Sequence, residues 1–200
     1  MARVRYKGKF SSYDDLPKAD LPENSVMYEE VDSVEEIAKV GSLIGLIPFA
    51  VEIVLIIIKR SFSLVGIIDD LSFVLLVGSI LYLLSLVPHE LIHALCFPKD
   101  AEVEFYQALK KGALFVTGTS PMTKKQFIIM SLMPNIIFSV IPVLIYMIVD
   151  ISTFTRVLVI FSLYSALSSG GDLYNVYNTT RQVPKGAHVV MSGIHTYWYC

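Results

Sequence analysis

Long apolar runs separated by short polar stretches set the first reading of this chain. Val40 to Ile58 is apolar for 19 residues, broken only by Glu52. At about 1.5 Å per residue that run reaches roughly 28 Å, close to the thickness of a hydrocarbon core. Ser33-Val34-Glu35-Glu36 has the capping-box pattern that opens a helix, and Lys59-Arg60 closes the run. A second run covers Leu71–Phe97, opened by Asp69-Asp70, where acids suit a helix N-terminus. A third covers Phe127–Val149, and a fourth covers about Ile151–Leu173, interrupted near its start by Arg156. The pattern predicts four spanning helices. The last two are joined by a very short turn and so form an antiparallel hairpin.

The polar stretches predict much less structure. Residues 1–36 carry Pro17 and Pro22 and an acidic second half, and read as a tail or small surface segment. They lack the apolar core of a signal peptide, so targeting is expected to rest on the first membrane helix. Between the second and third helices, Val103 and Phe105 alternate with Glu102 and Glu104, a strand signal. Lys110-Lys111-Gly112 reads as a turn and Ala113–Thr117 as the return strand. The expected fold is therefore an all-α integral membrane protein, with about four transmembrane helices and a small β-hairpin between helices 2 and 3. Its expected organisation is an N-terminal tail (1–36), a membrane-embedded domain (37–178) and a C-terminal tail (179–200).

Composition agrees: 54% of residues are hydrophobic and 17% charged, against about a quarter charged in an average soluble domain. A net charge of −2 gives no argument for a nucleic-acid partner. Cys96 and Cys200 cannot form a disulfide framework or a cysteine-based zinc site. The distribution of charge says more than its total. Four spans put the N-terminal tail, the 98–126 loop and the C-terminal tail on one side, with thirteen Lys and Arg residues. The other side holds three, Lys59, Arg60 and Arg156. Positive residues favour the cytoplasm. The expected location is the cell membrane, multi-pass, with both termini cytoplasmic and the lipid bilayer as a partner. The C-terminal ends of helices 2 and 4 then share the cytoplasmic face.

One of those ends reads His89-Glu90-Leu91-Ile92-His93. Histidines four apart share a helix face and can hold one Zn2+ ion. Glu90, beside the first ligand, has the position of a general base acting on water. Pro88 just before the motif would kink the helix or start a new one. A catalytic zinc site takes three protein ligands and keeps one position open. Asp172, in Ser168-Ser169-Gly170-Gly171-Asp172, is the chosen third ligand. The charge argument puts it at the same face, and the glycines before it would let backbone approach the metal. His188 and His195 are rivals in the C-terminal tail, while Glu102 and Glu104 belong to the hairpin and should face water.

With these residues in view, the chain resembles the putative zincin peptidases, a family of small bacterial membrane proteins. It also resembles the site-2 protease group of intramembrane zinc metalloproteases. The resemblance covers roughly residues 70–180: the HExxH helix, a loop, a proline-containing helix and a later helix ending in aspartate. It implies zinc on His89, His93 and Asp172 with Glu90 as catalytic base. It also implies hydrolysis of peptide bonds; lipid-facing helices would limit access, so the expected substrates are membrane proteins or their juxtamembrane segments. Gly precedes Asp172 and Leu follows it, and no PDZ module is recognisable, so substrate class and regulation do not transfer. The alternative is a non-proteolytic zinc-binding membrane protein, a pseudoprotease or assembly partner. Retention of Glu90 speaks for the enzyme. A metal transporter would spread its ligands near mid-bilayer, and here they cluster at one end.

Other residues have two readings each. Asn135, after Pro134, could contact substrate or a tetrahedral intermediate, although joining neighbouring helices is the commoner use. Glu52 is a proton or substrate group, or lies near an interface or groove. Cys96 is nearly in line with His93, yet an inert buried cysteine is commoner. The 103–117 hairpin could offer an edge to an extended peptide. Tyr197-Trp198-Tyr199 could anchor at an interface.

Overall fold

The computed structural model describes residues 1–60, 70–109 and 113–200. The Lys110-Lys111-Gly112 turn and Asp69 lie outside the described residues. Helix α1 runs Val34–Arg60 and α2 runs Leu71–Leu95, unbroken through Pro88. Helix α3 (Lys124–Asn135) continues through a π-helical segment (Ile136–Val140) into α4 (Ile141–Ile148). Helices α5 (Thr153–Ser168) and α6 (Gly170–Gln182) meet at Ser169. Among the described residues, three stretches are long and apolar enough to cross a membrane: Val34–Lys59, Leu71–Leu95 and Lys124–Ile148. A fourth exists only if α5 and α6, bent by 48°, count as one span.

Local chemistry explains where helices begin. The Glu36 N–H donates to Ser33 Oγ at 3.2 Å, so α1 starts at the expected cap. Thr123 with Gln126, and Ser152 with Thr155, form capping boxes ahead of α3 and α5. Asp70 behaves differently. It flanks α2 without capping it, and instead accepts from Thr153 Oγ1 at 2.6 Å and pairs with Arg156 Nη1 at 2.8 Å.

The all-α expectation is wrong, because the chain also builds two β-sheets. The first has the order β1-β3-β4, formed by Arg3–Lys9, Glu102–Ala108 and Ala113–Thr117. Its β3–β4 hairpin is the one expected, but β1 adds to it in parallel, pairing Val4 with Val103 and Tyr6 with Phe105. The second has the order β2-β7-β6-β5, formed by Val26–Met27, His195–Tyr199, His188–Ser192 and Met122–Thr123. Gly193, at φ 62°, opens the two-residue β6–β7 loop, where glycine tolerates the positive φ such loops need. Strands of two to seven residues drawn from separate parts of the chain carry little local signal. Their partners, rather than their own propensity, decide them.

The sheets and helices share one core. Tyr28, Ala94, Phe97, Val103, Met122, Phe127, Met130, Val183 and Val189 pack together, with Trp198 against them. The cluster joins the last turn of α2, the first turns of α3, the end of α6 and both sheets. Trp198 and Tyr197 thereby lie in β7, paired with β2.

The tightest helix contact is backbone on backbone. A Cβ on Gly170 would land on the Gly41 carbonyl, one on Gly45 would land on that of Leu167, and one on Gly41 would lie 2.9 Å from Gly171 N. Helix α1 therefore crosses the α5–α6 break with no room for side chains. Gly45→Leu is expected to lower stability on the order of 1–3 kcal/mol by forcing the helices apart. Gly171→Ala, whose Cβ meets nothing within 4 Å, should change it by less than about 0.5 kcal/mol. Thermal unfolding of the detergent-purified variants checks the contrast, and equal effects would refute the contact.

A second prediction concerns Glu30, in the connector between β2 and α1. It accepts from the Thr196 N–H at 2.5 Å, with His195 Nδ1 at 3.9 Å. Burial raises its carboxyl from 4.5 to about 7; the Thr196 N–H opposes the rise and nearby Asp32 adds to it. Between about pH 4.5 and 7 the folded chain thus holds more protons than the unfolded one. Stability should fall as pH rises through that window and level off above it. Glu30→Gln keeps an acceptor for Thr196 without the charge. Its unfolding temperature should exceed that of the native protein at pH 8 and approach it at pH 5; a constant difference would contradict the linkage.

Candidate metal centre

His89, Glu90 and His93 occupy the last two turns of α2, and their ligand-capable atoms lie within 4.8 Å of one another. The two imidazoles stand 5.0 Å apart, inclined by 74°. Both turn Nε2 towards one carboxylate: His89 Nε2 is 3.2 Å from Asp172 Oδ2, and His93 Nε2 is 3.1 Å from Asp172 Oδ1. Asp172 lies in the first turn of α6, presented there by the bend at Ser169. Zn–N and Zn–O bonds of about 2.0–2.1 Å in a tetrahedron put ligand atoms roughly 3.3 Å apart. The observed separations fit such a set, and two imidazoles with a carboxylate suit zinc chemically.

Glu90 is held differently. Its Oε2 accepts the Val116 N–H of β4 at 3.0 Å. That amide points away from β3, so β4 meets α2 with its outer edge. Sequence reasoning did not identify this contact; alternation in β4 cannot show which edge lies free.

The orientation of His93 comes from α3. Its Nδ1 lies 2.8 Å from the Met130 carbonyl, which can only accept, so Nδ1 carries a proton and Nε2 is the nitrogen that could face a metal. In an unbroken α-helix that carbonyl would accept from the residue four positions on. That residue is Pro134, which has no N–H to give. The proline therefore leaves a carbonyl for the histidine. His89 is supported by an aromatic face instead: Phe138, in the π-helical segment, stacks on its ring at 6.4 Å and 20°.

The remaining candidates separate. Asn135 is buried, its Nδ2 has no hydrogen-bond partner, and it lies between Met130 and Phe138 on the span that touches both histidines. Glu52 is buried and bonded to two serines. His188 stacks on Tyr199 in the second sheet and His195 faces Glu30. Cys96 ends α2, with its backbone N–H bonded to the last turn. Glu102 and Glu104 pair with Arg5 and Lys7. Of the two glycines before Asp172, Gly170 serves the approach of α1.

Comparison with known proteins adds one match. The family model described as "putative zincin peptidase" matches residues 82–188. No curated protein and no solved structure matches the chain. The matched stretch exceeds half of the chain and contains the His-Glu-Leu-Ile-His helix end, the β3–β4 hairpin, the proline-containing span and Asp172. The chain belongs to the putative zincin peptidase family.

Proposed function

We propose that this protein is a membrane-embedded zinc endopeptidase that hydrolyses peptide bonds in membrane or juxtamembrane proteins. The observation that carries the reading is the convergence of His89 and His93 Nε2 on Asp172, with Glu90 held apart by β4. In it His89, His93 and Asp172 hold the metal, and Asn135 offers a buried amide to substrate or to a tetrahedral intermediate. Zinc bound there supplies Lewis-acid activation of water and of the scissile carbonyl. Glu90 takes a proton from the attacking water and returns it to the departing amine. The outward edge of β4 gives an extended peptide a strand to pair with beside Glu90. The exposed apolar faces of α1 and α2, such as Leu43, Ile47, Leu83 and Leu84, support burial in lipid. The charge bias supports a cell-membrane location with cytoplasmic termini and the site near that face.

Zinc content and cleavage of candidate membrane substrates, measured on protein purified without chelator, test the reading. Glu90→Gln should keep zinc and lose about 10²–10⁴-fold in cleavage rate. Asp172→Ala should lose zinc occupancy. A native protein that holds no zinc sinks the proposal; zinc in the native protein without cleavage leaves the non-proteolytic alternative.

Pro134→Ala tests the orientation of His93. Restoring an N–H at that position gives the Met130 carbonyl a helical partner that competes with Nδ1. Zinc affinity should fall by roughly 10–100-fold, the usual effect of losing a group that orients a ligand. Unchanged affinity in a zinc titration would remove the proline from the site's design.

A further inference from the structure

Glu52 is the one carboxylic acid among the buried polar residues of the described chain, 4% exposed within α1. An ionisable group at such a depth needs partners or a task. Its partners are specific. Ser139 Oγ donates to Oε1 at 2.5 Å and Ser162 Oγ lies 2.6 Å from Oε2, while the same Ser162 Oγ is 3.0 Å from the Ser139 carbonyl. The carboxyl thus ties α1 to the π-helical segment and to α5.

Each serine directly follows a phenylalanine: Phe138-Ser139 and Phe161-Ser162. Those two rings meet edge to face at 5.8 Å and 78°, and Phe138 in turn stacks on His89. A π-helical segment is a local irregularity that needs fixing by its surroundings, and such segments gather at functional sites. Here Glu52 fixes it at Ser139, one residue from the ring that faces His89. His93 has the Met130 carbonyl to set its plane; for His89 the aromatic contact with Phe138 takes that part.

We infer that Glu52 is a positioning residue: through Ser139 and Ser162 it locks the Phe138–Phe161 pair and so sets the ring plane of His89 against Asp172. Its consequence for metal affinity rests on the proposed zinc site, but its effect on the His89 ring does not. The test therefore reads both. In metal-free protein with ¹³C-labelled histidine, the His89 Cε1–H resonance, assigned with His89→Gln, should carry a ring-current shift from Phe138. Glu52→Leu and Phe138→Leu should both move it, and the double variant should move it no further than Phe138→Leu alone. Glu52→Gln, which offers an acceptor and a donor on the same frame, should restore it. In parallel, zinc affinity should fall about 10-fold or more in Glu52→Leu and recover in Glu52→Gln. An unmoved His89 resonance in a folded Glu52→Leu protein overturns the inference, even if that protein melts earlier. A moved resonance in a native protein that binds no zinc upholds the positioning and sinks the metal reading alone. If Glu52→Leu does not fold, Ser139→Ala with Ser162→Ala removes the same tie, and an unmoved resonance there overturns the inference equally.

Discussion

The arrangement depends on one steric constraint, the contact of α1 with the α5–α6 break. Gly41 and Gly45 lie one turn apart on α1, Gly170 faces the first and the Leu167 carbonyl the second, so backbone takes the space where side chains would stand. Apolar helices in a hydrocarbon solvent gain nothing from burying one another's leucines. They associate where backbones can approach closely. That approach seats the bend at Ser169 against α1 and leaves the first turn of α6, with Asp172, opposite the end of α2. The third candidate ligand is therefore positioned by glycines more than a hundred residues away from it in sequence.

The second rule is that buried polar groups within the spans seek partners, and those that find them give the site its orientation. Pro134 removes an N–H and thereby offers a carbonyl to His93. Glu52 collects two serines and fixes the irregular helix beside His89. Asp70 gives up a cap to pair with Arg156 and Thr153. A missing or misplaced partner in an apolar medium costs more than in water. These contacts therefore constrain the helices more tightly than apolar packing alone could.

Much of the site was legible in sequence because its parts are local. His89, Glu90 and His93 fall within five consecutive residues on a strongly apolar helix, and the caps at Ser33 and the β3–β4 alternation are equally short-range. Asp172 could be placed at the same face by charge counting, which integrates over the whole chain. Beyond that hairpin, the two sheets were not legible. The β1 strand is two residues from the N-terminus, and its partner β3 begins at Glu102; no local pattern reports such a pairing. The glycines before Asp172 were read as letting backbone approach a metal, whereas Gly170 lets it approach α1. Pro88 suggested a kink or a new helix start, whereas α2 runs through it unbroken; the use of Pro134, the carbonyl it leaves for His93, had no signal in the sequence.

The site contains two carboxylates near two imidazoles, and residue types alone cannot divide their roles. The fold divides them by giving each a different neighbour. Asp172 sits within 3.2 Å of both Nε2 atoms, where it can share a metal with them. Glu90 is drawn aside by a backbone amide from β4, an element outside the spans. A carboxylate held by an amide keeps an oxygen for proton transfer, and the strand that holds it is also the one proposed to pair with an extended chain. The hairpin between α2 and α3 thus couples the place where a peptide would lie to the group that would move its protons. This coupling favours a base in Glu90 and a ligand in Asp172 over the reverse.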